Sequence, residues 1–116
     1  MDQNKKIRME ARAQVLKALA HPARLIIVDE LSVKECCVAD LTRAVEADMS
    51  TVSRHLGVLK AAGLVSAEKK GTQVFYRLNA PCVLDFFICV ESVLRSNLQT
   101  QIEVAGSARR ANERKI

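Results

Sequence analysis

The chain has 116 residues, 49% hydrophobic and 27% charged, with a formal net charge of +5. That length suits one domain with one modest core, and three Phe, one Tyr and no Trp leave that core to aliphatic side chains, which favours helices packed on one another. No apolar run approaches the ~20 residues of a membrane span, and the polar opening "MDQNKKIRMEARAQ" lacks the apolar stretch of a signal peptide, so the expectation is a soluble, cytoplasmic protein with no membrane partner.

In chain order, "IRMEARAQVLKAL" (7–19) reads as a helix, with Ile7, Ala11, Val15, Leu16 and Leu19 at helical spacing. "HP" at 21–22 breaks it, and Pro22 is placed to open the next helix, "ARLIIVDEL". Cys36 and Cys37 follow, in a connection or at a helix start. "VADLTRAV" is a third helix with Val38, Leu41, Ala44 and Val45 on one face, and "EADM" is a turn.

"STVSRHLGVLKAAGLV" is the fourth helix. Val52, Leu56 and Leu59 form its buried stripe, while Thr51, Ser53, Arg54, His55 and Lys60 are expected away from it. Asp48 or Ser50 caps its start and Gly63 ends it. From Leu64 the pattern alternates, as "LVSAEKK" and "QVFYRL", around a basic Lys69-Lys70-Gly71-Thr72 tip, which reads as a β-hairpin. Asn79 is then expected to cap a last helix, "APCVLDFFICVESVLRSNL", with Pro81 in its first turn. Apolar residues cover well over half of that helix's circumference. A monomer of this size needs one buried face, so two apolar faces imply a homodimer. The division expected is one domain over 1–100 and a basic, disordered tail over 101–116.

Charge is uneven. Residues 49–79 carry a net of +4 and residues 106–116 a net of +3, while residues 13–48 carry −2. A polyanion is the natural partner of such a chain. Helix, short turn, helix and basic hairpin together make the plan of a winged helix-turn-helix, mainly α, with five helices and a two-stranded wing. Its second reading helix enters the major groove of double-stranded DNA and its wing meets the flanking backbone. Ser50, Thr51 and Ser53 offer hydroxyls to phosphates or base edges, Arg54 suits guanine, and His55 can donate to either. Lys60, Lys69 and Lys70 add phosphate contacts.

"LAHPARLIIVDEL", "ECCVADL", "MSTVSRHLGVLKAAGLV" and "KKGTQVFYRL" resemble the ArsR/SmtB family of bacterial metal- and metalloid-responsive repressors, over roughly residues 8–98. The resemblance implies a homodimer built by the first and last helices. It also implies an operator bound without inducer and released with it. Against the family's metalloid motif "ELCVCDL", Cys37 stands on the first cysteine, Ala39 where the second would be, and Cys36 where Leu is usual.

The four cysteines, Cys36, Cys37, Cys82 and Cys89, are therefore the candidate ligands. Cys82, Asp85, Cys89, Ser92 and Ser96 form a polar stripe on the last helix. Cys82 and Cys89 lie about 10 Å apart along the axis, too far for one ion with bonds of ~2.3 Å to sulfur. A site would take Cys36 and/or Cys37 with one of the later pair, unless there are two sites. His21 and His55 are poorly placed for zinc, and all-thiol, three-coordinate chemistry best fits trivalent arsenic or antimony as inducer. Two alternatives keep the fold: sensing of thiol oxidation or reactive sulfur, and sensing of cadmium or lead. An enzyme is not expected, since the chain has no C-x-x-C, no Gly-rich phosphate loop and no Cys–His pair that can be placed together.

Overall fold

A computed structural model of the protein describes residues 2–115, with side chains as far as Ile102. The chain divides at the Pro81–Cys82 junction into two compact units, described separately.

The first unit holds four helices and a small sheet. Helix α1 (Gln3–Leu19) starts at Asp2, whose carboxylate accepts from the Asn4 N–H. Helix α2 (Pro22–Val33) has Pro at its first position, where a missing N–H costs nothing, and His21 as its cap. Helices α3 (Val38–Val45) and α4 (Met49–Ala61) form the helix-turn-helix pair. Between them Glu46 adopts φ 58°, ending α3 in the left-handed region. Asp48 then caps α4, accepting from the Thr51 N–H at 2.7 Å. At its far end the Leu64 N–H bonds to the Leu59 carbonyl and the Gly63 N–H to that of Lys60. This Schellman closure needs φ +80° at Gly63, which a side chain would strain.

Strands β2 (Val65–Lys70) and β3 (Gln73–Leu78) form the wing, with Gly71 at φ +65° supplying its two-residue turn. A third strand, β1 (Cys36–Cys37), joins them in the order β1-β3-β2, all antiparallel. The sheet therefore has three strands where two are expected from the sequence, and the added one is the cysteine pair. The core is aliphatic: Ile27, Val28, Leu41, Val52, Leu56 and Leu59 are wholly buried.

Asn79 does not cap the last helix. Its side chain accepts from the Ser66 hydroxyl at 2.9 Å and donates to the Gly63 carbonyl at 3.3 Å, fastening the base of the wing. Helix α5 begins instead at Val83, after the Cys82 carbonyl accepts from the Asp85 N–H, and its backbone runs to Lys115. Its last stretch, "QTQIEVAGSARRANERK", has one Gly, no Pro and many strong helix formers. Its charges beyond Ile102 lie outside the described side chains. Among the described residues no helix is long and apolar enough to cross a membrane.

Candidate nucleic-acid interface and thiol site

Helix α4 presents Ser50, Ser53, Arg54 and Lys60 to solvent, and Thr51 is half-buried. These residues share the exposed side, as the sequence pattern requires. His55 does not. It is buried on the stripe of Val52, Leu56 and Leu59, because i+3 from Val52 falls on the core face as surely as i+4 does. The expectation that His55 lies away from the buried stripe is corrected on that ground.

His55 instead meets the start of α2. Its Nδ1 lies 3.2 Å from Arg24 Nη1, and its ring centroid lies 4.4 Å from that of His21, the two rings tilted. Burial, then the charges of His21, Arg24 and Arg54, holds its imidazole below the usual histidine range. Arg24 reaches further, donating from Nη2 to the Lys17 carbonyl of α1 at 3.4 Å.

The wing carries Lys69 and Lys70, both exposed. Lys70 is already engaged: Nζ donates to Glu35 at 2.8 Å and sits 5.5 Å from the Phe75 ring centroid. The shared bond pulls the Glu35 carboxyl down and pushes the Lys70 ammonium up. Glu35 thus competes with phosphate for Lys70. Glu35→Gln is expected to raise affinity for any duplex and to steepen the log–log salt dependence by about one unit per protomer. Titrations at several salt concentrations check this; an unchanged slope means Lys70 never reaches the backbone.

The thiols of Cys36 and Cys37 are both buried. Cys36 pairs with Tyr76 and Cys37 with Phe75 in β3. Successive residues of a strand project to opposite faces, so the two adjacent thiols do not share one. Cys36 donates weakly to the Lys34 carbonyl at 3.5 Å, and burial pushes its thiol up, with Asp40 adding to the rise. Cys37 caps α3. Its N–H and its Sγ–H both lie 3.3 Å from Asp40 Oδ2 as donors, and Arg43 holds the other carboxylate oxygen at 2.6 Å. These bonds, the Cys37 thiol's first, hold the Asp40 carboxyl low. In the second unit Cys82 and Cys89 are exposed. Among the described residues no three Cys, His, Asp or Glu side chains converge to hold an ion. The donors suit a soft thiol ligand by chemistry; the pair Cys36 and Cys37 does not fit one ion while β1 stays extended.

Comparison with known proteins places this arrangement. Residues 21–67 match the bacterial regulatory protein, arsR family. The arsenical resistance operon repressor of Bacillus subtilis (strain 168) is 41% identical over 80 residues, covering 68% of this chain and 76% of that protein. The chain belongs to the ArsR family. A second relative, the HTH-type transcriptional repressor SmtB of Mycobacterium tuberculosis, is 43% identical over 70 residues, 60% of this chain; the chain spans about half of its length, 52%. Among solved structures, the homodimeric winged helix-turn-helix DNA-binding domain Mb0332 of Mycobacterium bovis superposes with a TM-score of 0.72. It is 34% identical and covers 84% of this chain and 91% of that one. ArsR-family membership agrees with a regulatory protein rather than an enzyme. The ArsR match takes in α2, β1, α3 and α4, so His21, Arg24, both buried thiols and the exposed face of α4 all lie inside it. Arg24, Glu35 and Asp40 were not singled out from the sequence. Only Asp40, three residues after a cap and thus in a capping-box position, carried a local signal.

Proposed function

We propose that the chain is a homodimeric transcriptional repressor that leaves its operator when a soft thiol ligand, trivalent arsenic or antimony, binds its cysteines. One observation carries the reading: Cys36 and Cys37 form a strand of the wing's own sheet, and Cys37 also caps the first reading helix. A ligand taken there acts directly on both DNA-reading elements. To meet one ion, the two thiols must come to one side, which ends the extended pairing of β1 with β3. A three-coordinate ion needs one sulfur more than this pair offers; Cys82 and Cys89 are the chain's other thiols, and one ion cannot span both of those. Dimerisation is supported by the exposed Phe86, Ile88, Val93, Leu94 and Leu98 of α5 and Ile7, Val15 and Leu16 of α1, and by the homodimeric relative. The positive wing and α4 support operator binding in the cytoplasm, where thiols stay reduced.

Gel shift on the DNA upstream of the chain's own gene, in reduced buffer, tests this. Arsenite or antimonite is expected to release the DNA and zinc is not. Release by cadmium or lead alone favours the divalent reading. Release by peroxide or polysulfide, reversed by dithiothreitol, favours thiol oxidation. A chain that is monomeric at micromolar concentration, or binds no duplex, overturns the proposal.

A further inference from the structure

His21 and His55 are the only two histidines in the chain, and both are fixed by donors that cannot accept. His21 Nδ1 takes the backbone N–H of Ala23 at 3.0 Å, and His55 Nδ1 faces Arg24 Nη1 at 3.2 Å. An arginine guanidinium has no lone pair to offer, so Nδ1 of His55 must accept and its proton must sit on Nε2. The imidazolium, which carries a proton on both nitrogens, is incompatible with this contact. The Arg24 Nε is buried without a partner, so Arg24 is held by the His55 ring and the Lys17 carbonyl together.

We propose that the Arg24–His55 bond is a proton-sensitive latch, in which His55 positions the DNA-reading helix α4 on α2 and lets go when its ring is protonated. His55 lies between Arg54 and Leu56, one residue from the exposed arginine and on the same turn as Ser53. Displacing its ring from the stripe of Val52 and Leu59 therefore rotates or frays the helix that carries the reading residues. The charges acting on His55 are Arg24 and His21 from the start of α2 and Arg54 from α4 itself. Among the described residues no carboxylate acts on it, and no charge from α1, α3 or β2. Every neighbour therefore opposes a positive ring. The folded chain holds His55 below its free value, so the latched state is complete at neutral pH and is lost as pH falls through the folded value.

The latch rests on the reading of α4 as the operator helix, and its sign separates it from simple electrostatics. Added positive charge tightens binding to a polyanion; a latch that opens loosens it. The test is fluorescence anisotropy of the full chain on its operator duplex from pH 7.5 to 5.5, at fixed ionic strength with dithiothreitol. Affinity is expected to fall on acidification, by at most about tenfold per pH unit per protomer, the limit for one proton. His55→Asn keeps an acceptor near the Nδ1 position and cannot titrate, so it is expected to flatten the profile. In the unmodified chain, ring nitrogen NMR is expected to show His55 protonated on Nε2 alone at pH 7.5. Affinity that rises or stays level on acidification, the same acid loss in His55→Asn, or a proton on Nδ1 at pH 7.5 overturns the latch. Absence of operator binding at every pH overturns the earlier reading instead.

Discussion

The double variant Cys36→Ser, Cys37→Ser is expected to bind the operator normally and to keep it when arsenite is added. Both substitutions suit the fold. A serine hydroxyl in place of the Cys36 thiol can donate to the same Lys34 carbonyl. Serine is also a better helix cap than Cys37, with Asp40 already in place to answer it. The loss therefore falls on the response and not on the scaffold. Release requires only that the inducer favour the DNA-free conformation; a differential of about 3 kcal/mol gives ~100-fold, and the double variant forfeits it. Each single variant is expected to lose the response as well, because a three-thiol site with one thiol missing cannot close. Of Cys82→Ser and Cys89→Ser, one is expected to abolish the response and the other to leave it intact. X-ray absorption of the arsenite complex is expected to show about three sulfur neighbours and no nitrogen. Normal release by the double variant removes β1 from the sensing path.

The reading pair was legible because its signals are local. "VADLTRAV" maps onto α3 residue for residue, Asp48 and Gly63 bracket α4, and alternation with a Gly tip delivers the wing. What escaped is long-range or turns on backbone direction. A two-residue strand has no period to detect, and β1 exists only because β3, some 40 residues later, offers it a partner. Cys36 and Cys37 are adjacent in sequence, yet the extended backbone of β1 sends their side chains to opposite faces. His55 looked exposed by residue type, yet Val52, His55, Leu56 and Leu59 already make one helical face, and its partner Arg24 is 31 residues away. Asn79 has a capping residue's chemistry and spends it on Ser66 and Gly63 instead. The hairpin's own residues leave Lys70 free for phosphate, because its partner Glu35 lies outside the hairpin.

Arg54→Ala is expected to cost the most operator affinity of any single change on α4. Arg54 is exposed, one residue before the latched His55, and no ion pair holds it among the described residues, so its removal disturbs no packing. Its charge acts on the Asp48 carboxyl only after the Thr51 bonds, and on the His55 imidazole only after burial, His21 and Arg24; the cap survives the substitution. A guanidinium in the major groove meets the O6 and N7 of guanine with two parallel bonds, worth about 1–3 kcal/mol of discrimination per base. A homodimer makes the contact twice, so the loss is about 2–6 kcal/mol, roughly thirtyfold at the low end. Binding is to be measured on the operator and on a scrambled duplex. The expected outcome is a large loss on the operator and a small one on the scramble, with the dimer unchanged by sizing. Arg54→Lys keeps the charge without the planar fork, and is expected to rescue the scramble but not the operator. Equal losses on both duplexes, or rescue of the operator by Lys, reduce Arg54 to a phosphate contact and leave sequence reading to Ser50, Thr51 and Ser53.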